Sequence, residues 1–163
     1  MSHTVTVTRT TTTTTTSAII INTGYMKTFP GLLKLLEVVI GGVALTLMSI
    51  YINDYYSRYG LPEQFFLAAV TTVFVASFCL LLSCLLSLST ATIIAKTMFE
   101  IVYHIVAFML ILSASITFLI ELNDRGQRSY NYKPFFSSVI LGLILSILYF
   151  LSTVLAFRSY RGL

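Results

Sequence analysis

The residues best suited to chemistry are charged or titratable side chains that lie inside long apolar stretches or directly beside them. Lys34 and Glu37 stand about one helical turn apart, and Lys96, Glu100 and His104 repeat at a spacing of four residues. On a helix, each spacing places the side chains on one face. An ionised carboxylate within an apolar segment is costly, so Glu37 needs a cation or a proton. We expect Lys34 to supply the cation.

Two functions are open to this set of five residues. If both segments enter a membrane from the same side, their polar groups lie at a similar depth and can share one cluster. Such a cluster either responds to protons or lipid headgroups, or serves only to fix the pairing of the helices, which is the plainer interpretation.

Signatures of catalysis and metal binding are missing from the sequence. It contains no HExxH, no GxSxG and no glycine-rich phosphate loop, and each of these motifs carries a specific chemistry. His3 and His104 are the only histidines, which leaves too few ligands for a metal site. We therefore predict no enzyme activity, cofactor or metal. The basic residues are scattered rather than clustered, which argues against nucleic acid as a partner.

The segments that position these residues are long enough to cross a membrane. Of the 163 residues, 56% are hydrophobic and only 10% are charged, whereas soluble domains carry about 25% charged residues. Apolar runs cover residues 32–52, 65–88, 98–122 and 135–157. A helix needs about 20 residues to cross the hydrocarbon core, and a barrel strand only about ten. The predicted fold is an all-α bundle of four transmembrane helices with short loops.

A single membrane domain is predicted over residues 25–163, preceded by a disordered cytoplasmic tail over residues 1–24. The tail contains an unbroken threonine run over residues 10–16 and no apolar periodicity that could support a packed element. Pro62 and Pro134, with the asparagine, aspartate and glycine residues near them, are interpreted as marking loops between the spans.

An even number of spans places both termini on one side of the membrane, and short cytoplasmic segments tend to be rich in basic residues. The termini and the 89–97 loop, with the start of the first span, hold six basic residues: Arg9, Lys27, Lys34, Lys96, Arg158 and Arg161. The other two loops hold Arg58, Arg125, Arg128 and Lys133. This small excess favours cytoplasmic termini.

Small residues recur at helical spacing in three spans, and such stripes let helix backbones approach closely. They are Gly41 and Gly42 in the first span, Ala68, Thr72 and Ala76 in the second, and Ser138, Gly142 and Ser146 in the fourth. Packing within the bundle is the plainer interpretation. Contact with a second copy or with a partner's membrane helix is the alternative.

Residues 28–37 (TFPGLLKLLE) and 156–162 (AFRSYRG), together with four spans, resemble the MARVEL family. The resemblance is closest to the branch that contains plasmolipin, the chemokine-like-factor-type members and the insect singles-bar-like proteins. It covers about residues 25–162. The positions that match the family pattern are Lys34, Glu37, Arg158 and Arg161.

The resemblance implies cytoplasmic termini and a role in vesicle trafficking, membrane apposition or fusion, or the organisation of cholesterol-rich domains or junctions. It brings no active site. We therefore expect a non-enzymatic membrane organiser or adaptor in the plasma membrane or vesicles. Its expected partners are lipids, other membrane proteins and further copies of itself. The alternative is a transporter, a channel or an auxiliary subunit that uses Glu37, Glu100 and His104 as a polar relay.

Overall fold

The computed structural model describes residues 24–52, 60–87, 93–94, 97–126 and 132–162. Its four long helices are α1 (Phe29–Ile52), α2 (Leu61–Leu86), α3 (Met98–Arg125) and α4 (Tyr132–Tyr160). A short 3₁₀ turn, Tyr25–Lys27, precedes α1. All four helices are long and apolar enough to cross a membrane, which confirms the predicted all-α, four-span fold. The predicted tail, apart from Gly24, and Lys96 lie outside the described residues.

Each helix presents one narrow buried seam to the others. In α1 the seam includes Glu37, Gly41, Ala44 and Met48. In α3 it includes His104, Ala107, Ile111, Ala114, Phe118 and Leu122. Buried positions thus recur every three or four residues, the period by which antiparallel helices interlock in a four-helix bundle. The remaining faces carry exposed large apolar side chains such as Val39, Ile105 and Ile147.

The helices pack in a ring, in which α1 and α3 each contact α2 and α4. The pairs α1/α3 and α2/α4 therefore face each other across the diagonals of the bundle. Glu37, near the start of α1, contacts Ser152, near the end of α4. Glu63, at the start of α2, contacts Arg125, at the end of α3. Neighbouring helices thus run antiparallel. We call the end with the starts of α1 and α3 the terminal end, and the opposite end the loop end.

The three prolines of the chain all lie in the first turn of a helix. Pro30 and Pro62 are the second residues of α1 and α2, and Pro134 is the third residue of α4. A proline is tolerated there because the first backbone N–H groups of a helix have no intrahelical partner. The prediction that Pro62 and Pro134 lie in loops was therefore wrong. Helix α2 begins at Leu61 and α4 at Tyr132, before the predicted starts at residues 65 and 135.

The loop-end half of the bundle has an apolar, closely packed core. The ring of Phe118 lies with its centroid 5.3 Å from that of Phe66 and 5.6 Å from that of Phe135. A Cβ added at Gly142 would lie 2.5 Å from Ser115 Oγ and 2.7 Å from the ring of Phe66. Gly142 therefore allows α2, α3 and α4 to meet at this level.

Candidate functional site

An ion pair bridges the bundle diagonally at its terminal end. Lys34 Nζ of α1 donates to Glu100 Oε1 of α3, and both side chains are less than 10% exposed. The predicted pairing of Lys34 with Glu37 was wrong, because Glu37 Oε1 instead accepts a hydrogen bond of 2.5 Å from Ser152 Oγ. A buried carboxylate without a counter-charge is strongly destabilising. The long lysine side chain crosses the bundle axis to neutralise Glu100.

Glu37 and His104 keep polar atoms that have no hydrogen-bond partner among the described residues. These atoms are Glu37 Oε2 and both ring nitrogens of His104, and all are buried. His104 Nε2 lies 3.7 Å from Glu100 Oε1, beyond the range of a hydrogen bond. Because buried polar atoms are nearly always bonded, such atoms often indicate a bound water or ligand.

The structure thus brings Lys34, Glu37, Glu100 and His104 into one buried cluster between α1, α3 and α4. Ser152 belongs to the same cluster and was not among the predicted residues. Its position in the fourth span gave no distinguishing signal, because serine also occurs there as a small packing residue.

Hydroxyl groups extend from this cluster toward the middle of the bundle. Ser77 Oγ of α2 lies 2.6 Å from the hydroxyl of Tyr149 and 2.7 Å from that of Tyr103. Tyr103 also donates to the backbone carbonyl of Val73 at 3.2 Å. The rings of His104 and Tyr149 have centroids 5.9 Å apart. The pair Ser77–Tyr149 therefore joins α2 and α4 along the second diagonal.

A cavity of about 80 Å³ opens beside the Lys34–Glu100 pair. Its polar lining consists of Tyr25, Lys34, Glu100, His104, Ser152 and Ser159. The buried side chain of Cys84 lines the same cavity. Since about 10–15 Å³ suffices for one water molecule, the cavity has room for a small polar group of several atoms.

Tyr25 reaches the cavity from the 3₁₀ turn that precedes α1. Its carbonyl oxygen lies so close to Gly31 that any Cβ at Gly31 would collide with it. The same carbonyl accepts a hydrogen bond of 2.7 Å from Thr28 Oγ1. Burial raises the pKa of Tyr25 to about 12, so its hydroxyl stays protonated at neutral pH. The close approach of the Tyr25 carbonyl to Gly31 and its hydrogen bond from Thr28 hold the turn against α1.

A second set of charges closes the loop end. Arg125 Nη1 lies 2.5 Å from Glu63 Oε1, and Arg125 Nε donates to Glu121 Oε1 at 2.8 Å. Glu63 is fully buried, whereas Glu121 is partly exposed. Of these three residues, only Arg125 was considered in the sequence, as one of the basic residues of the loops. The spacing of four between Glu121 and Arg125 was the signal available for one of the two pairs.

The predicted helix-packing residues fall into two groups. Gly41, Ser138, Gly142 and Ser146 are buried, and Gly42 is half-buried against Phe74. Ala68 and Thr72 are instead exposed, and Ala76 is only half-buried. The expectation that the stripe of α2 packs within the bundle is therefore wrong for Ala68 and Thr72. The buried seam of α2 includes larger side chains, Phe66, Val70 and Val73, which fill more of the space between helices than alanine would.

These features define a class: a multi-pass membrane protein with ion pairs between the helices of a four-helix bundle. The profile of the MARVEL family, described as a membrane-associating domain, matches residues 25–157. The chain belongs to the MARVEL family, which confirms the resemblance at the level of the family, while the branch stays a prediction. No curated protein and no solved structure matches the chain.

Proposed function

We propose that the protein is a non-enzymatic membrane organiser or adaptor, acting in vesicle trafficking, in membrane apposition or fusion, or in the organisation of junctions. The observation that carries this proposal is the separation of polar and apolar groups in the described helices. The buried carboxylates of Glu100 and Glu63 are paired with basic side chains of other helices, Lys34 and Arg125, whereas the outer faces carry large apolar side chains. The surface offered to the surroundings therefore suits lipids and other membrane helices.

Contacts between helices in lipid depend on close packing, because lipid tails are as apolar as the side chains they cover. The outer face of α2 offers such a contact at Ala68 and Thr72, which are small and exposed. This supports the alternative interpretation of that stripe, contact with a second copy or with a partner's membrane helix. The apolar outer surface also supports association with membrane lipids, and we extend the proposal to those of cholesterol-rich domains.

We also propose an orientation of the chain in the membrane and a division into tail and membrane domain. Both termini are cytoplasmic, the tail covers residues 1–24, and the membrane domain covers residues 25–163. The match of the family profile from residue 25 supports this division. A location in the plasma membrane or in vesicles follows from the proposed role.

Site-specific photo-crosslinking of the full chain tests the organiser role. A photo-crosslinking residue in place of Ala68 is compared with one in place of Val102, an exposed position on α3. We expect protein adducts, to a second copy or to a membrane partner, at position 68 well above those at position 102. Lipid adducts alone at both positions, with no protein copurifying from native-like lipid, would contradict the proposal.

One observation favours the alternative of a transporter, a channel or an auxiliary subunit: the cavity and the hydroxyls beyond it reach from the terminal end to Tyr149. Between Tyr149 and the Glu63–Arg125 pair, however, lies the packed layer that includes Phe66, Phe118 and Val139. Flux in liposomes, with Glu37→Gln and Glu100→Gln as variants, decides between the two. Flux that both substitutions reduce would replace the organiser proposal.

A further inference from the structure

We propose that the terminal-end cavity binds the primary ammonium group of a phosphatidylethanolamine-type lipid from the adjoining leaflet. This inference rests on the proposed function, because it names a class of lipid that the membrane organiser recognises. Four features support it: the depth of the cavity, the balance of charge around it, its hydrogen-bonding groups and an adjoining apolar groove.

The cavity lies at the depth of lipid headgroups. Helices α3 and α4 have 28 and 29 residues, which correspond to about 42 Å of helix. The hydrocarbon core is only about 30 Å thick, so the helix ends extend into the headgroup layer. Glu100 is the third residue of α3, and Ser159 is the last but one of α4. The cavity therefore lies at the level of the headgroups that surround the bundle.

The charge around the cavity favours a cation. Among the described residues of the cluster, two carboxyl groups, Glu37 and Glu100, accompany one lysine, Lys34. Lys34 already pairs with Glu100. Glu37 does not line the cavity itself, but one of its oxygens accepts a hydrogen bond from Ser152 of the cavity wall. Its other oxygen has no partner among the residues that the structure describes. A bound cation supplies the counter-charge that a buried carboxylate requires, whereas a bound anion would face both carboxyl groups.

The hydrogen-bonding groups favour a primary ammonium over a quaternary one. A primary ammonium donates three hydrogen bonds, as the ammonium of lysine does. The wall offers acceptors in the carboxylate of Glu100, the hydroxyl of Ser152 and a ring nitrogen of His104. That ring nitrogen is buried and has no hydrogen-bond partner within the part of the chain that the structure describes. A choline headgroup has no N–H to give these acceptors, and it is bulkier. Two exposed basic residues at the end of α4, Arg158 and Arg161, flank Ser159 of the cavity wall and are available to the lipid phosphate.

An apolar groove favours a lipid over a free amine. The groove runs between α2 and α3 on the outside of the bundle, and its lining includes Ala76, Leu80, Phe99 and Ile94. Ile94 also lines the cavity. A headgroup in the cavity thus places an acyl chain beside a groove of matching polarity, which a soluble amine would leave unused.

Native mass spectrometry of the detergent-purified full chain measures the preference. The probes are dioleoyl-phosphatidylethanolamine, its phosphatidylcholine analogue and its N-acetylated form, in which the amine carries no charge. We expect binding of the ethanolamine lipid to exceed that of either analogue by about tenfold, the effect of one charge-assisted hydrogen bond. Equal binding of the three lipids would overturn the proposal. Free ethanolamine at equal concentration should bind more weakly; equal binding would show an amine site that does not select lipids.

Glu37→Gln tests the site while keeping an oxygen that can accept from Ser152. It should remove most of the preference for the ethanolamine lipid. Glu121→Gln, at the loop end, is the matched control and should leave the preference unchanged, because Glu121 lies at the opposite end of the bundle from the cavity. An undiminished preference in Glu37→Gln would contradict the role given to the charge balance.

Protection of Cys84 locates the bound lipid even if Glu37→Gln does not fold. In a Cys79→Ser background, a small thiol reagent should modify Cys84 several-fold more slowly in vesicles containing phosphatidylethanolamine than in phosphatidylcholine alone. Equal rates would place any preferred lipid elsewhere and overturn the proposal. The organiser role is judged separately: adducts at position 68 without lipid preference would remove this inference and leave that role in place.

Discussion

At the scale of single residues, Lys34 shows how a lysine is held inside an apolar bundle. Its ammonium donates across the diagonal to Glu100, and both side chains are nearly withdrawn from solvent. Each group therefore depends on the other far more than an exposed ion pair would, because neither can be solvated by water when its partner is removed. The same reasoning applies to Glu63, which is fully buried and faces Arg125.

Lys34→Met should destabilise the folded protein by about 3–5 kcal/mol, because it leaves the carboxylate of Glu100 buried and unpaired. The double substitution Lys34→Met/Glu100→Leu should recover a large part of that loss, since it removes both charges. Unfolding of the full chain in lipid-like micelles measures both variants. A double variant that is no more stable than Lys34→Met would contradict this account.

Arg125→Met should lower the free energy of unfolding by about 3 kcal/mol, because it removes the counter-charge of the buried Glu63. Glu121→Gln removes the other, partly exposed partner of the same arginine and should cost less than about 1 kcal/mol. The two variants are compared by the same unfolding measurement. Equal losses would mean that burial does not distinguish the two carboxylates.

At the scale of elements, close approach of the helices is concentrated where a small residue meets a large one. Gly142 of α4 faces the ring of Phe66 and the hydroxyl of Ser115, with no room for a methyl group. At Gly41 of α1, by contrast, a Cβ would lie 3.7 Å from the ring of Phe74, an ordinary contact distance. Two glycines in similar helices thus have different packing roles.

Gly142→Ala should destabilise the bundle by about 1–3 kcal/mol, because the added methyl group overpacks the contact of α4 with α2 and α3. Gly41→Ala is the matched control, and we expect a change of less than about 1 kcal/mol. Thermal unfolding in the same detergent compares them. A Gly41→Ala protein that is less stable than Gly142→Ala would show that the contact at Gly142 relaxes.

At the scale of the whole molecule, the four antiparallel helices place the start of α1 and the end of α4 at one end of the bundle. Tags added at the amino and carboxyl ends should therefore be digested, or protected, together in sealed vesicles. We expect both to be accessible from the cytoplasmic side only. Digestion of one tag with full protection of the other would contradict both the topology and the even number of spans.

The sequence by itself determined the number of spans and their helical nature, because these follow from the length and polarity of contiguous segments. The family was indicated separately, by the resemblance of residues 28–37 and 156–162. It also placed Lys34, Glu37, Glu100 and His104 at one end of the bundle, since helical rise fixes the depth of each residue within its span. The sequence therefore predicts the depth of a residue along the membrane normal.

Only the tertiary structure decided which helix each side chain faces. Lys34 pairs with Glu100 rather than with Glu37, which is nearer in the sequence. Ala68 and Thr72 of one small-residue stripe face outward, whereas Gly142 of a similar stripe faces inward. The physical reason is that rotation of a helix about its axis depends on contacts with its neighbours. All four segments are apolar nearly all round, so the pattern of polarity along a single segment does not fix that rotation.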